Sequence, residues 1–174
     1  LGRSARSRRD QLMSRLMGRC FLALVWGLAG VSAGAPAVSA QGAEEQAVIR
    51  AVQAVFDAME SRDGDALRAS MLQEGHFVSV NESQTRWTSR DDFAAGLADV
   101  ARPYHERMWD PEVRVDGPVA SVWAPYDFYL GAEFSHCGTD AFLLAKTPEG
   151  WRVSAVSYTV LQPPTCERHP QGPP

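Results

Sequence analysis

Apolar residues at Val48, Ile49, Val52, Val55, Phe56 and Met59 recur at steps of three and four. That is the period of a helix with one buried stripe. The pattern predicts a helix over residues 43–61, with Glu44 and Glu45 in its first turn, where acids suit the helix dipole. Arg62-Asp63-Gly64 closes it, Gly64 being able to take a left-handed C-cap. Asp65 then caps a short second helix through Leu72. Past Gly75 the period changes to two, so residues 76–81 predict a strand and residues 85–87 a hairpin arm beside it. Thr88 or Ser89 caps a third helix, with Asp91 and Asp92 in its first turn and Phe93, Leu97 and Val100 on its buried side.

From Tyr104 onward the alternation is that of strands. Residues 104–109 and 111–115 are short segments, and Asp116-Gly117-Pro118 is a turn. Long strands follow at 119–130, 134–146 and 151–161. Thr147-Pro148-Glu149-Gly150 has the chemistry of a tight hairpin. Pro125 interrupts the first long strand and predicts a bulge or bend there. Residues 162–174 contain five prolines and read as a tail. Helices first and an antiparallel sheet afterwards make an α+β domain. A long sheet wrapped around a helix leaves a cavity open at one end.

The chain has 174 residues, which suits a single domain. Its first forty residues stand apart. Residues 1–19 hold six arginines and one acid, residues 20–31 carry no charge, and small residues lead to Val38-Ser39-Ala40. This is the order of a signal peptide, opening conventionally at Met13 or Met17. The apolar run is short for a membrane span, which needs about 20 residues; a retained anchor is the alternative. Cys20 precedes the run, so a lipoprotein anchor does not fit. The organisation expected is a signal peptide at 1–40, one domain at 41–162 and the tail at 163–174, in a periplasmic or secreted protein.

Without residues 1–40 the chain keeps 11 basic and 20 acidic residues, a formal charge of −9. Nucleic acid and anionic membranes, which are held through Lys and Arg, are excluded as partners. Two cysteines remain, Cys137 and Cys166, an even number suited to an oxidising compartment. The hairpin register puts Cys137 near Leu161, and Pro163-Pro164 can turn the chain back. A Cys137–Cys166 disulfide is expected, with two unpaired thiols as the alternative.

Several stretches carry a resemblance: Thr88-Ser89-Arg90-Asp91-Asp92-Phe93, Pro118-Val119-Ala120-Ser121-Val122-Trp123, Ser135-His136-Cys137-Gly138, Asp140-Ala141-Phe142 and Gly150-Trp151-Arg152-Val153. Over residues 44–162 the chain resembles the NTF2-like superfamily, in its SnoaL-like and "putative lumazine-binding" branches. The resemblance implies an α+β, cone-shaped barrel with a curved antiparallel sheet around N-terminal helices.

Site candidates follow from strand faces. With a bulge at Gly150, Tyr158 falls opposite Asp140, a polar pair inside an apolar cavity. One reading raises the Asp140 pKa by desolvation and gives proton transfer beside a Tyr donor, as in proteins resembling ketosteroid isomerase. The simpler reading makes the pair a hydrogen bond that fixes register. His105 either lines the cavity or pairs with an acid such as Asp127. Asp140, Tyr158, His105 and Asp127 are therefore the catalytic candidates, and Trp109, Trp123, Tyr126 and His136 the ligand-contact candidates. His76 is expected to face outward, and His169, in the tail, is expected to be idle.

No metal-ligand spacing, phosphate loop or Gly-x-Ser-x-Gly elbow occurs, so neither metal nor cofactor is expected. Three functions stay open. The first is binding of a small apolar or aromatic molecule. The second is cofactor-independent acid–base catalysis of the isomerase, dehydratase or cyclase kind. The third is a module that dimerises through its sheet.

Overall fold

A computed structural model describes residues 40–174; the expected signal peptide lies outside the described residues. Helix α1 (Ala40–Ser61) buries Val48, Val52, Val55, Phe56, Ala58 and Met59, the predicted stripe. It ends at Arg62, which itself takes the left-handed conformation at φ 58°. Helix α2 (Gly64–Ser70) therefore starts earlier than expected. Asp63 is its N-cap, its carboxylate accepting from the Asp65 and Ala66 N–H groups at 3.0 and 2.9 Å. Gly64 is needed for space, because a Cβ there would press on the Ala94 carbonyl of α3.

Strand β1 (Met71–Val80) pairs antiparallel with β2 (Thr85–Ser89). Ser89 caps α3 (Arg90–Leu97), accepting from the Asp92 N–H at 3.1 Å and donating to the Asp92 carboxylate at 2.7 Å. Then come β3 (Tyr104–Met108), β4 (Glu112–Asp116), β5 (Val119–Leu130), β6 (Glu133–Thr147) and β7 (Gly150–Thr159). The strand order is β2-β1-β7-β6-β5, and β3 and β4 share the far edge of β5.

The sheet is mixed, which corrects the antiparallel expectation: β1 runs parallel to β7. Parallel neighbours need a long crossover, and here everything from β2 to β6 supplies it. Two expected irregularities also move. Gly150, at φ 117°, serves the turn, while the extra residue of the β6–β7 ladder is Ser154, whose hydroxyl donates to the Leu143 carbonyl at 3.0 Å. Pairing runs unbroken through Pro125, which faces Thr139. A residue's N–H and C=O point to the same side in an antiparallel strand. The Pro125 carbonyl accepts from Trp109 N–H, in the gap between β3 and β4. Its missing N–H therefore falls where no strand needs it. The register shift lies instead between Phe128 and Tyr129.

The tail is an ordered strap on the outer face of the sheet. Cys137 and Leu161 form a bridge, and Cys166 is disulfide-bonded to Cys137, their Cα atoms 5.7 Å apart. The Arg168 guanidinium lies 4.2 Å over the Phe134 ring, and His169 packs edge-on against Trp109. His169 is thus a packing residue and not idle.

Candidate functional site

Directly opposed residues on neighbouring strands share a face of the sheet. One inner row reads Arg86, Ser79, Tyr158, Asp140, Ala124 across β2, β1, β7, β6 and β5. A second reads Glu106, Phe128, His136 across β3, β5 and β6. These rows, with α1 and α3 above them, enclose a cavity of about 330 Å³. Phe56, Met59, Phe77, Phe93, Phe128 and Val156 supply its apolar walls. Ser79, Glu106, His136 and Tyr158 give it a polar side, and the exposed Arg86 and Asp92 lie at its rim. The volume is at the small end of ligand sites, and the lining has their usual character.

Asp140 lies behind this wall with no solvent exposure, and neither of its carboxyl oxygens receives an N–H or O–H from the protein. Glu106 is the carboxyl that acts on it most strongly, and Tyr126 and Tyr158 also lie within its field. Burial raises the proton affinity of both acids. Burial lifts Glu106 from its usual 4.5 to about 7, Asp140 opposing this and Asp127 adding to it. Asp140 is held well above the usual range by burial and then by Glu106. The pair can therefore take up or release a proton near neutral pH at an oxygen facing the cavity, the capacity acid–base chemistry requires.

The other polar groups are neutral. Burial depresses His136 to about 4; its ring stacks on Phe128 at 4.7 Å, and its Nδ1 is 3.0 Å from the Ser135 hydroxyl. Burial raises Tyr158, with smaller contributions from Glu106 and Asp140, while a hydrogen bond with Ser79 acts in the opposite sense. Among the described residues no group of three His, Cys, Asp or Glu side chains could hold a metal ion.

Asp140 and Tyr158 face each other as the register predicts, and His136 and Tyr158 line the cavity. The remaining candidates stand elsewhere. Tyr126 is a core residue, 1% exposed, whose hydroxyl donates to the Thr159 carbonyl at 2.7 Å. Trp123 points outward from β5 and is 58% exposed. Trp109 packs under His169. His105 turns away from the cavity and pairs with Glu60 at 3.2 Å. Asp127 is buried on the outer face, where Arg107 donates two bonds to it at 3.0 and 2.7 Å and the His169 N–H a third at 3.0 Å. The site residue that sequence reasoning missed is Glu106. Tyr104 and Met108, two residues to either side of it, share its face, but alternation alone does not make that face the inner one.

A cone of helices over a curved mixed sheet defines the NTF2-like fold, and solved structures agree. An NTF2-like protein with a cystatin-like fold from Novosphingobium aromaticivorans superposes with a TM-score of 0.59 at 17% identity, over 71% of this chain and 86% of that one. A protein described as a putative dehydratase from Streptomyces avermitilis gives 0.57 at 18%, over 70% and 98%. An NTF2-like superfamily protein from Salmonella enterica gives 0.58 at 14%, over 72% and 96%. At these identities the likeness shows the fold alone. No functionally curated protein matches the chain. Residues 43–159 match the family described as "Putative lumazine-binding", and the chain belongs to that family.

Proposed function

We propose that this domain binds a small, flat, largely apolar molecule in its cone. The observation that carries the reading is the cavity of about 330 Å³, walled by aromatic rings and polar on one side. The family description supports it. Isothermal titration with neutral aromatic probes (1-naphthol, indole and lumazine) tests it. Saturable binding of one probe per chain is expected, weakened about tenfold or more when Val156→Trp fills the cavity, a loss of 1.4 kcal/mol or more. Failure of all three probes to bind saturably overturns the reading.

The outer face of the sheet supports a second feature, pairing with another copy of the chain. Trp87, Val78, Ser157, Ala141 and Trp123 form one outward row across β2, β1, β7, β6 and β5. Trp87, Trp123 and Leu143 are more than half exposed. No Asp, Glu, Lys or Arg points outward from β2, from β1 between His76 and Val80, from β7 between Ala155 and Thr159, or from β5 between Val119 and Pro125. Copies with a net negative charge repel one another, and this face lets two meet without burying like charges. Glu112, Arg114 and Asp116 on β4 alternate in sign along its rim, and a two-fold axis between Glu112 and Arg114 would set each of these opposite the other's counterpart in the second copy. The Cys137–Cys166 bond supports a working place in an oxidising compartment, outside the cytoplasm.

A further inference from the structure

The binding reading leaves open which molecules the cone accepts, and the inference here rests on that reading. Glu106 and Asp140 form an acid pair without a cation. Among the described residues no ion pair reaches either of them, whereas Asp127, buried one face away, is met by Arg107. Buried carboxyls are ordinarily compensated by a positive group or by several donors. Asp140 has neither, and Glu106 has its cavity-facing side open.

The groups around the pair do not supply the missing charge. His136 on β6 is neutral, and Tyr126 and Tyr158 on β5 and β7 keep their protons. Asp127 adds negative charge from the outer face, where Arg107 offsets it. Arg86 is exposed at the rim, contributes nothing that moves Glu106 or Asp140, and has Asp92 of α3 near it on the cavity lining. Helix α1 presents only apolar side chains there: Val55, Phe56 and Met59.

We infer that the cavity selects an aromatic nitrogen base, a flat ring system whose protonated or strongly donating nitrogen binds the Glu106 carboxylate, with Asp140 behind it holding that carboxylate in place. The ring lies among Phe56, Phe77 and Phe128. Cationic donors to a carboxylate give the stronger class of hydrogen bond, and a water-poor aromatic cavity strengthens it further.

Three bicyclic probes of similar shape and different charge test the inference by titration at about pH 8, above the Glu106 transition: 4-aminoquinoline as the cation, 1-naphthol as the neutral ring and 1-naphthoate as the anion. The expected order is aminoquinoline tightest, by about tenfold over naphthol, and naphthoate weakest. Glu106→Gln should bring aminoquinoline to the level of naphthol while naphthol itself still binds, which shows that the variant keeps its cavity. Equal or tighter binding of naphthol or naphthoate to the unaltered chain overturns the inference and leaves the binding reading standing. A preference for aminoquinoline that survives Glu106→Gln also overturns it, since the cation would then sit elsewhere, as at Asp92. Binding of none of the three overturns both.

Discussion

Glu106 and Asp140 come from strands that flank β5 on opposite edges, and each alters the proton affinity of the other. Asp140 is in register with Ala124 of β5 and Glu106 with Phe128, so the inward Tyr126, which feels both acids, stands between those two positions. The sheet thus brings together two acids that are 34 positions apart in the chain, in surroundings that favour one bound proton over two charges.

This arrangement makes stability fall as pH rises. The folded state holds the Glu106 proton up to about 7, whereas an unfolded chain releases it near 4.3. Between these values the folded form binds more protons, so stability is highest at or below the lower value and declines toward the upper one. The loss is of order 3 kcal/mol at most. Thermal unfolding at about pH 5 and pH 8 should show a higher Tm at the acidic point, by several degrees. Asp140, held well above its usual range by burial, acts in the same direction, so Glu106→Gln should remove part of that difference and Glu106→Gln with Asp140→Asn most of it. An undiminished difference in the double variant would mean that other groups cause it.

The parts of the fold legible in the sequence were those set by local periodicity. The stripe from Val48 to Met59 produced α1, and the alternation after Val119 produced β5, although it did not say which face is inward: Trp123 and Tyr126, on opposite faces, were both ligand candidates. The Asp140–Tyr158 register was legible too, although the bulge that sets it is Ser154 and not Gly150. The β1–β7 pairing was not, because a parallel contact between distant strands leaves no local pattern. For β3, alternation separated Glu106 from His105 and Arg107 but did not say which set faces inward. Arg107 decides this through Asp127, which is buried and also accepts from the His169 N–H of the tail. A tail from which only the Cys166 disulfide was expected therefore concealed part of what orients the site.

The Asp127–Arg107 pair yields a stability prediction with a built-in control. Asp127 is fully buried and its three donors come from Arg107 and the strap. Arg107→Met leaves that carboxylate unpaired and should cost about 3–5 kcal/mol. The double variant Arg107→Met with Asp127→Leu removes both charges and should recover most of the loss. Urea unfolding midpoints measure both. A double variant no more stable than Arg107→Met would show that the pair is not the cause.

Reduction of Cys137–Cys166 should destabilise the domain through the same strap. The bond closes a loop of 29 residues, worth about 3–4 kcal/mol in the chain-entropy model. Opening it also loosens the segment that brings the His169 N–H to Asp127. Protein recovered from an oxidising compartment should resist alkylation until reduced, then take up two alkyl groups at these positions. Its urea midpoint should fall on reduction. Two freely alkylated thiols before reduction would end the assignment, and an unchanged midpoint would show that the strap holds without it.

The sheet-to-sheet pairing is tested by placing charge where the outer face has none. Trp123 is exposed and lies in the row shared with Ala141 and Ser157. Its side chain reaches neither the cavity nor the core, so Trp123→Glu should leave the fold and probe binding unaltered. In a two-fold pair each substitution appears twice, which brings two new carboxylates into an apolar contact between chains that are already net negative. Sedimentation equilibrium should find a dimer for the unaltered chain and a monomer for the variant, with association weakened at least about a hundredfold if each buried charge costs 1.4 kcal/mol or more. Arg114→Glu on the rim acts differently. It makes β4 wholly acidic, so its effect should shrink as salt is raised, because exposed charges are screened, whereas the effect of Trp123→Glu should persist. A monomeric unaltered chain at all concentrations would remove the pairing and leave the exposed tryptophans without a partner of this kind.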